Sequence, residues 1–471
     1  MDAALRARRL FSGAPAHAAR DDSRATPRLT LRFPALAQRL GTIDLALLVV
    51  GSVIGSGIFR TPAVVAQSIG HRGPILTAWA FGGLIALCGA FVLGELAARR
   101  PEGCGAYAYL REAFGPAVAF AYGWTALLAS LTGGLAAAAI LFAGYFLSLT
   151  GLAMAPAAVA VATLVALAVV NALGVRQGSY AQNGLSLLKV AALSALVIAA
   201  FAHPAAHLDA VPRALPGPAA LSAAMIAVLF TYNGAIVANF MAPESKNAGR
   251  SLPRGLWIGA IAVAALYVLV NAGCLRALGV DALARSAVPV SAVLRATAGS
   301  IGGRLASLAV AVTTLGFMSN RMLTVPRLYH AMARDGLFFR SVGKIDARTH
   351  VPVVAIALQG IVAVAIALSG SYEHILNYVV STSYAFSGLL ALALFVLRAR
   401  DRKSRRPRAA AFRAPAHPVS TALFLVASWG IAIAACVTSP RDGLAGLAIL
   451  ATAMPAYALW ARRSARVGNV L

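Results

Sequence analysis

The chain alternates long apolar runs with short polar segments. Twelve runs stand out, near 42–69, 74–98, 117–149, 156–174, 180–202, 219–241, 254–277, 301–332, 351–369, 374–397, 419–438 and 444–461. Each is close to or above the ~20 residues an α-helix needs to cross a bilayer. An even number of crossings leaves both chain ends on one side. The first run departs from the rest. Its middle reads Gly51-Ser52-Val53-Ile54-Gly55-Ser56-Gly57. A glycine inside a helix costs about 1 kcal/mol relative to alanine. The three glycines and two serines therefore predict an interruption: a half-helix to about Val53, a non-helical turn over 54–57, and a second half from Ile58. Backbone freed at membrane depth is tolerated only where it lines a cavity or is buried in protein. The second half would aim its N–H groups, and the positive end of its dipole, at the membrane centre, where they suit a small anion. Close helix packing competes with this reading, because Gly51-x-x-x-Gly55 also fits small-xxx-small spacing.

A weaker interruption lies in the sixth run, at Phe230-Thr231-Tyr232-Asn233-Gly234-Ala235. Five spans separate the two. Runs 1–5 and 6–10 then read as repeats, and an odd number of spans per repeat inverts the second relative to the first. Two half-helix ends would face each other at mid-membrane. The expected architecture is all-α and membrane-integral: repeat 1 over 42–202, repeat 2 over 219–397, a basic loop over 398–418, and two further helices over 419–461. Residues 1–40 carry eight arginines and no apolar run, and 462–471 are polar; both read as tails. A signal peptide needs an apolar core the first segment lacks. A transit peptide is weakened by Asp21 and Asp22.

Composition agrees with a membrane protein. Of the 471 residues, 60% are hydrophobic and 12% charged, against ~45–50% and ~25% in soluble domains. The net charge of +26 resembles a nucleic-acid footprint until its distribution is counted. On the expected topology, 31 Lys and Arg fall on the side of the termini, seven on the other, and Arg60, Lys189 and Arg321 within spans. The positive-inside rule then puts both termini in the cytoplasm and accounts for the charge without nucleic acid. Cys88, Cys104, Cys274 and Cys436 lack disulfide or metal spacing and read as packing residues. The eight histidines sit at span ends, in loops or in the tail, so no metal or other cofactor is implied.

Several ordered stretches resemble one family. Gly55-Ser56-Gly57-Ile58-Phe59 with Pro62 is similar to the first-helix signature of the amino acid–polyamine–organocation transporter superfamily. Gly94-Glu95-Leu96, the run Pro101-Glu102-Gly103-Cys104-Gly105 and Phe114-Gly115-Pro116 resemble the end of its helix 2 and the start of helix 3. Asn171 to Lys189 resembles helices 4–5, Phe230 to Gly234 with Leu252-Pro253-Arg254 resembles helix 6 and its loop, and Pro326-Arg327 to Gly336 resembles the helix 8–9 hairpin. The likeness spans roughly residues 40–400 and is nearest the L-type branch of amino acid transporters and exchangers. It implies a five-plus-five inverted repeat and alternating access. The chain departs from the family where a Trp usually follows the helix 6 Tyr (here Asn233-Gly234-Ala235), in having Pro243-Glu244 for a Glu-Glu pair, and at Arg321.

Under this resemblance the substrate is a zwitterion and the interruptions supply both signs. Its carboxylate would take N–H bonds from Ser56 and Gly57, next to Gly55, with the Ser56 hydroxyl as a further donor; its ammonium would donate to carbonyls at Val53, Ile54 and Phe230. Thr231, Tyr232, Asn233, Gly234 and Tyr384 complete the expected substrate site, with Phe230 as a covering gate; packing against lipid or core is the alternative for Phe230. Lys189 stands out because the chain otherwise chooses arginine, with 37 Arg to four Lys. A lysine at mid-span costs ~2.5–3.5 kcal/mol on insertion scales. The family reading places it where sodium-coupled relatives hold Na⁺, tied to the unwound part of helix 1. Transport is then sodium-independent, with Lys189 as proton carrier or fixed cation, unless Lys189 snorkels to the near face. Arg321 needs an acid or an anion. The expectation is an inner-gate ion pair or a contact selecting an acidic substrate; the deep acids are few, Glu95 near the inner end of the second span and Glu373 near the outer end of the tenth, and the residues single out neither as its partner. The scarcity of mid-membrane carboxylates argues against cationic substrates and, with the missing Trp, for neutral amino acids.

The implied function is a sodium-independent secondary carrier of L-amino acids in a bacterial inner membrane, an exchanger or a proton symporter, with the bilayer and an amino acid as partners. A membrane enzyme lacks its motifs here. A non-transporting amino acid sensor would need a signalling domain, and a channel fits paired interruptions less well than a carrier does.

Overall fold

The computed structural model describes residues 40–55, 57–101, 103–173, 178–203, 216–286, 288–370, 372–404 and 410–468. Ser56 and the expected tail over 1–39 lie outside them. Among the described residues there are helices and no strand; Leu40 and Ser245 form one isolated β-bridge.

The helices follow the apolar runs. The first run is α1 (Thr42–Val53) and α2 (Gly57–Ile69), which meet at 51°. α3 (Arg72–Arg99) is the second span, and α4 (Gly105–Phe114) is a connecting helix. The third span joins α5 (Pro116–Thr125) to α6 (Leu131–Thr150) through a π turn, Ala126–Ser130. α7 (Pro156–Ala172) and α8 (Gly178–Ala202) follow. The sixth span is α9 (Pro218–Tyr232), continued after its interruption as a 3₁₀ helix, Ala235–Glu244. α10 (Ala248–Arg285) and α11 (Pro289–Thr324) are long and kinked, at Gly279 and at Ala298–Gly299. A short α12 (Pro326–Arg334) leads to α13 (Val353–Ser369), α14 (Tyr372–Lys403), α15 (Val419–Thr438) and α16 (Pro440–Gly468). Proline stands in the first turn of α5, α7, α9, α11 and α12. There its fixed φ suits the helix and its missing N–H costs nothing.

Among the described residues nine helices are long and apolar enough to cross a membrane, ten if the bent pair counts as one span; α7 and α13 are shorter apolar helices of 17 residues each. Burial orders them from centre to rim. The core window of the third span is 78% buried, against 28% for α15 and 17% for α16. α3 packs along α10, α6 along α11 and α7 along α13. In each pair the partner lies five spans later in the chain.

Three expected boundaries shift. Leu40 belongs to the packed body: it is buried, its N–H donates to the Glu244 carbonyl at 3.1 Å, and its carbonyl accepts from the Lys246 N–H at 2.9 Å. α14 continues to Lys403, and α16 to Gly468, because no helix-breaking residue stops either where its apolar run ends.

Candidate functional site

The two interruptions are in contact. α1 ends as Ile54 turns extended (φ −70°, ψ 93°), and α2 restarts at Gly57. α9 ends as Asn233 turns extended, and Gly234 takes φ +154°. Only glycine adopts that angle freely, and only glycine fits: a Cβ at 234 would lie 2.4 Å from the Ser52 carbonyl oxygen. Ser52 Oγ is 2.9 Å from its own-helix acceptor at Val49 and 3.2 Å from the Gly234 carbonyl. Gly57 is held just as close to the other side, since a Cβ there would meet Thr231 Oγ1 at 2.8 Å. Thr231 Oγ1 lies 2.9 Å from Thr61 Oγ1, joining α2 to α9.

The carbonyls freed by the interruptions already have protein donors. Lys189, on α8 and 1% exposed, donates from Nζ to Gly51 O at 2.8 Å and Ile54 O at 3.2 Å. It does not snorkel. Tyr267, on α10, reaches Val53 O at 3.1 Å and Thr231 O at 3.4 Å with one hydroxyl, so a single proton serves both interrupted spans. The Phe230 carbonyl accepts from the Asn233 N–H at 3.1 Å. A carbonyl has two lone pairs, so Val53, Ile54 and Phe230 each keep one for a further donor. Tyr384, on α14, donates to the Leu229 carbonyl at 2.5 Å. Tyr232 donates to the Trp79 carbonyl at 3.0 Å, and the rings of Trp79, Tyr232 and Tyr267 pack together with centroids 5.1–6.0 Å apart. Phe230 is half-buried. A cavity of about 50 Å³ touches this crossing, lined by Val53, Leu229, Tyr232, Asn233, Gly234 and Tyr384 among others.

Arg321 lies on the opposite flank, beyond Phe317. The Phe317 ring comes within 2.9 Å of where a Cβ on Gly55 would stand, and its other neighbours include the Arg321 guanidinium, 4.7 Å from its centroid, and Lys189 Nζ at 6.0 Å. Arg321 is 5% exposed and donates to Leu131 O, just past the π turn, at 3.3 Å. Among the described residues its Nε has no partner, nor do both side-chain polar atoms of Asn320, Gln359 Oε1 and the Tyr122 hydroxyl, all buried. π turns recur at functional sites.

Glu95 does not meet Arg321. Glu95, 1% exposed near the end of α3, is held instead by Arg398 (Nε 2.9 Å, Nη2 2.5 Å), Arg99 Nε (3.3 Å) and the Ala414 N–H (2.7 Å). Among the described residues no carboxylate pairs with Arg321. The reason is placement: Glu95 lies one turn from the polar end of its helix, where α14 and the segment before α15 reach it.

A further contact set lies where α1 begins and the sixth span ends. Arg327 Nε pairs with Glu244 at 3.3 Å, and Tyr107 donates to Asp335 Oδ2 at 2.9 Å, a carboxylate that Arg111 also binds. Burial, then the Asp335 charge, raise the Tyr107 phenol well above its usual range, which keeps it a donor. Burial also pushes the Cys104 thiol up to about 12. Tyr267, Phe317 and Arg398 were not singled out from sequence; for Tyr267, a lone hydroxyl in an otherwise apolar stretch of α10 was the available signal.

Residues 40–455 match the family model described as "Amino acid permease". The chain is 28% identical over 424 residues to the b(0,+)-type amino acid transporter 1 of Mus musculus, covering 86% of this chain and 85% of that one. It is 26% identical over 427 residues to the serine/threonine exchanger SteT of Bacillus subtilis (strain 168), covering 88% and 96%. To the cystine/glutamate transporter of Homo sapiens it is 26% identical over 423 residues, covering 88% and 83%.

Proposed function

Since the chain belongs to the amino acid permease family of the amino acid–polyamine–organocation superfamily, whose members named above are transporters and not enzymes, we propose that it is a secondary carrier exchanging L-amino acids by alternating access. The carrying observation is the contact between the two interruptions, Ser52 to Gly234 and Gly57 to Thr231. The carboxylate binds at the start of α2, around Gly55, Ser56 and Gly57, because the first-turn N–H groups of a helix and its dipole favour an anion. The ammonium donates to the lone pairs left at Val53, Ile54 and Phe230. Phe230, Asn233 and Tyr384 border the side chain. Twelve spans cross the membrane as a five-plus-five inverted repeat with two added helices, a reading supported by the pairing of α3 with α10, α6 with α11 and α7 with α13. Both termini are cytoplasmic, which makes the Glu244–Arg327 and Tyr107–Asp335 contacts the inner closure.

Transport is sodium-independent. Lys189 supplies a fixed positive charge to the carbonyls of the first interruption, the groups a sodium ion would otherwise bind. Neutral substrates fit the scarcity of acids at the crossing. A second reading, a carrier of acidic amino acids, is favoured by one observation: among the described residues Arg321 is buried without a carboxylate partner, and the Phe317 ring lies against both its guanidinium and Gly55. A substrate side-chain carboxylate reaching past that ring would complete the guanidinium.

Proteoliposomes holding the purified chain and preloaded with unlabelled amino acid test this. Preloading should accelerate uptake of labelled amino acid several-fold, and replacing sodium by potassium should change nothing. No trans-stimulation with any member of a neutral and acidic panel would overturn the exchanger. Dependence on a sodium gradient would overturn the role of Lys189. Preference for aspartate or glutamate over serine would select the second reading.

A further inference from the structure

Three segments far apart in sequence carry exposed cations to one end of the bundle. Lys246 and Arg250 stand at the start of α10 and Arg254 one turn on; Arg402 and Lys403 close α14; Arg413 follows it. All six are exposed. Packing brings their segments together on the C-terminal end of α3. A Cβ on Gly94 would lie 3.1 Å from the Phe412 ring and 3.3 Å from Pro253 of α10, and one on Gly249 would lie 3.8 Å from Ala411. The Ala414 N–H binds Glu95, and Arg99 binds Asp401 at 2.7 Å. The acids of this region are thereby committed: Glu95 to Arg398 and Arg99, Asp401 to Arg99, Glu244 to Arg327. Among the described residues none of the six exposed cations has an ion-pair partner.

The helix faces beneath them fix the depth of the patch. At about 100° per residue, Arg250, Arg254, Ile258, Ile261 and Ala265 share one face of α10. That face is exposed along its length, and passes from two arginines to Ile258 (39% exposed) and Ile261 (45%). α15 begins beside the patch with Val419, 72% exposed, and continues with Val426 at 69%. Apolar side chains exposed on a membrane span meet acyl chains. Cations one turn above them stand at headgroup depth, where an anionic leaflet attracts Lys and Arg.

We propose that this patch binds the phosphodiester headgroups of anionic phospholipids in the leaflet it faces. The guanidinium groups of Arg250, Arg254 and Arg413 are suited to phosphate oxygens bidentately. The inference needs only that the chain is embedded in a membrane and stands whatever the substrate is. A soluble polyphosphate or an acidic protein fits less well, because the cationic surface turns apolar within one helical turn. Bound headgroups would clasp the start of α10 to the segment after α14, and through Glu95 to α3.

The test uses the full chain. It is purified into neutral detergent and supplemented with phosphatidylglycerol, with phosphatidylcholine, or with water-soluble glycerophosphate at equal phosphate. Native mass spectrometry reads retained lipid and thermal melting reads stability. Phosphatidylglycerol alone should raise the melting temperature and remain bound as discrete adducts. The triple variant R250Q/R254Q/R413Q should retain at most a third as much, and R250K/R254K/R413K should keep most of it. R413Q, outside any helix, serves if the triple variant does not fold, and should lower retention by itself. Equal response to phosphatidylcholine, equal stabilisation by glycerophosphate, or wild-type retention in both R413Q and the glutamine triple variant would overturn the proposal.

Discussion

Glu95 and Arg321 are both charges buried in membrane helices, and their surroundings are opposite. Glu95 is completed on every side, by two arginines and a main-chain N–H from three separate segments. Among the described residues the Arg321 guanidinium has one carbonyl, the face of Phe317 and, around it, buried polar atoms without partners. A buried charge left incomplete is costly to keep. The completed one behaves as a fastening. The incomplete one fits a site that something else completes.

The strongest way to break this contrast is E95A. It strands Arg398 and leaves Arg99 with Asp401 alone, and losing one member of a buried pair costs about 3–5 kcal/mol. Thermal unfolding in detergent should show a large drop with no shift in substrate preference. R321M keeps the length and removes the charge. Its stability should hold or rise, as replacing an unpaired buried charge by an apolar group allows, while exchange of acidic amino acids falls at least tenfold in kcat/KM. If R321M melts as low as E95A, Arg321 is structural and the contrast is lost. Y267F sharpens the comparison at the crossing itself. It removes the one proton shared by Val53 O and Thr231 O, worth about 1 kcal/mol. KM should rise several-fold with little change in melting; an unchanged KM would mean the crossing is held without that hydroxyl. The smallest effect belongs to E244Q. Its pair with Arg327 is not fully buried, and a glutamine oxygen still accepts from the guanidinium, so stability should move less than in E95A. A change in the ratio of inward to outward exchange would mark it as part of the closure.

Much of this was legible along the chain. Apolar runs located the spans because a membrane helix must present nonpolar residues over its whole length, and the glycines at 51, 55 and 57 located the first interruption because they weaken helix locally. Pairing was not legible. Glu95 and Arg398 are 303 residues apart, and Arg398 read as one more loop cation because its apolar run had just ended. The π turn at Ala126–Ser130 left no mark, since alanine and leucine suit an α-helix equally well. Tyr267 acts through its hydroxyl on a neighbouring span, and no periodicity records which carbonyl a side chain will meet.

The contact at Gly234 has a mechanical corollary. With no atom to spare between it and the Ser52 carbonyl, the bent segments touch main chain to main chain, like two arms crossed at a bare pivot. Any side chain larger than hydrogen at that pivot would prise the arms apart before cargo arrived.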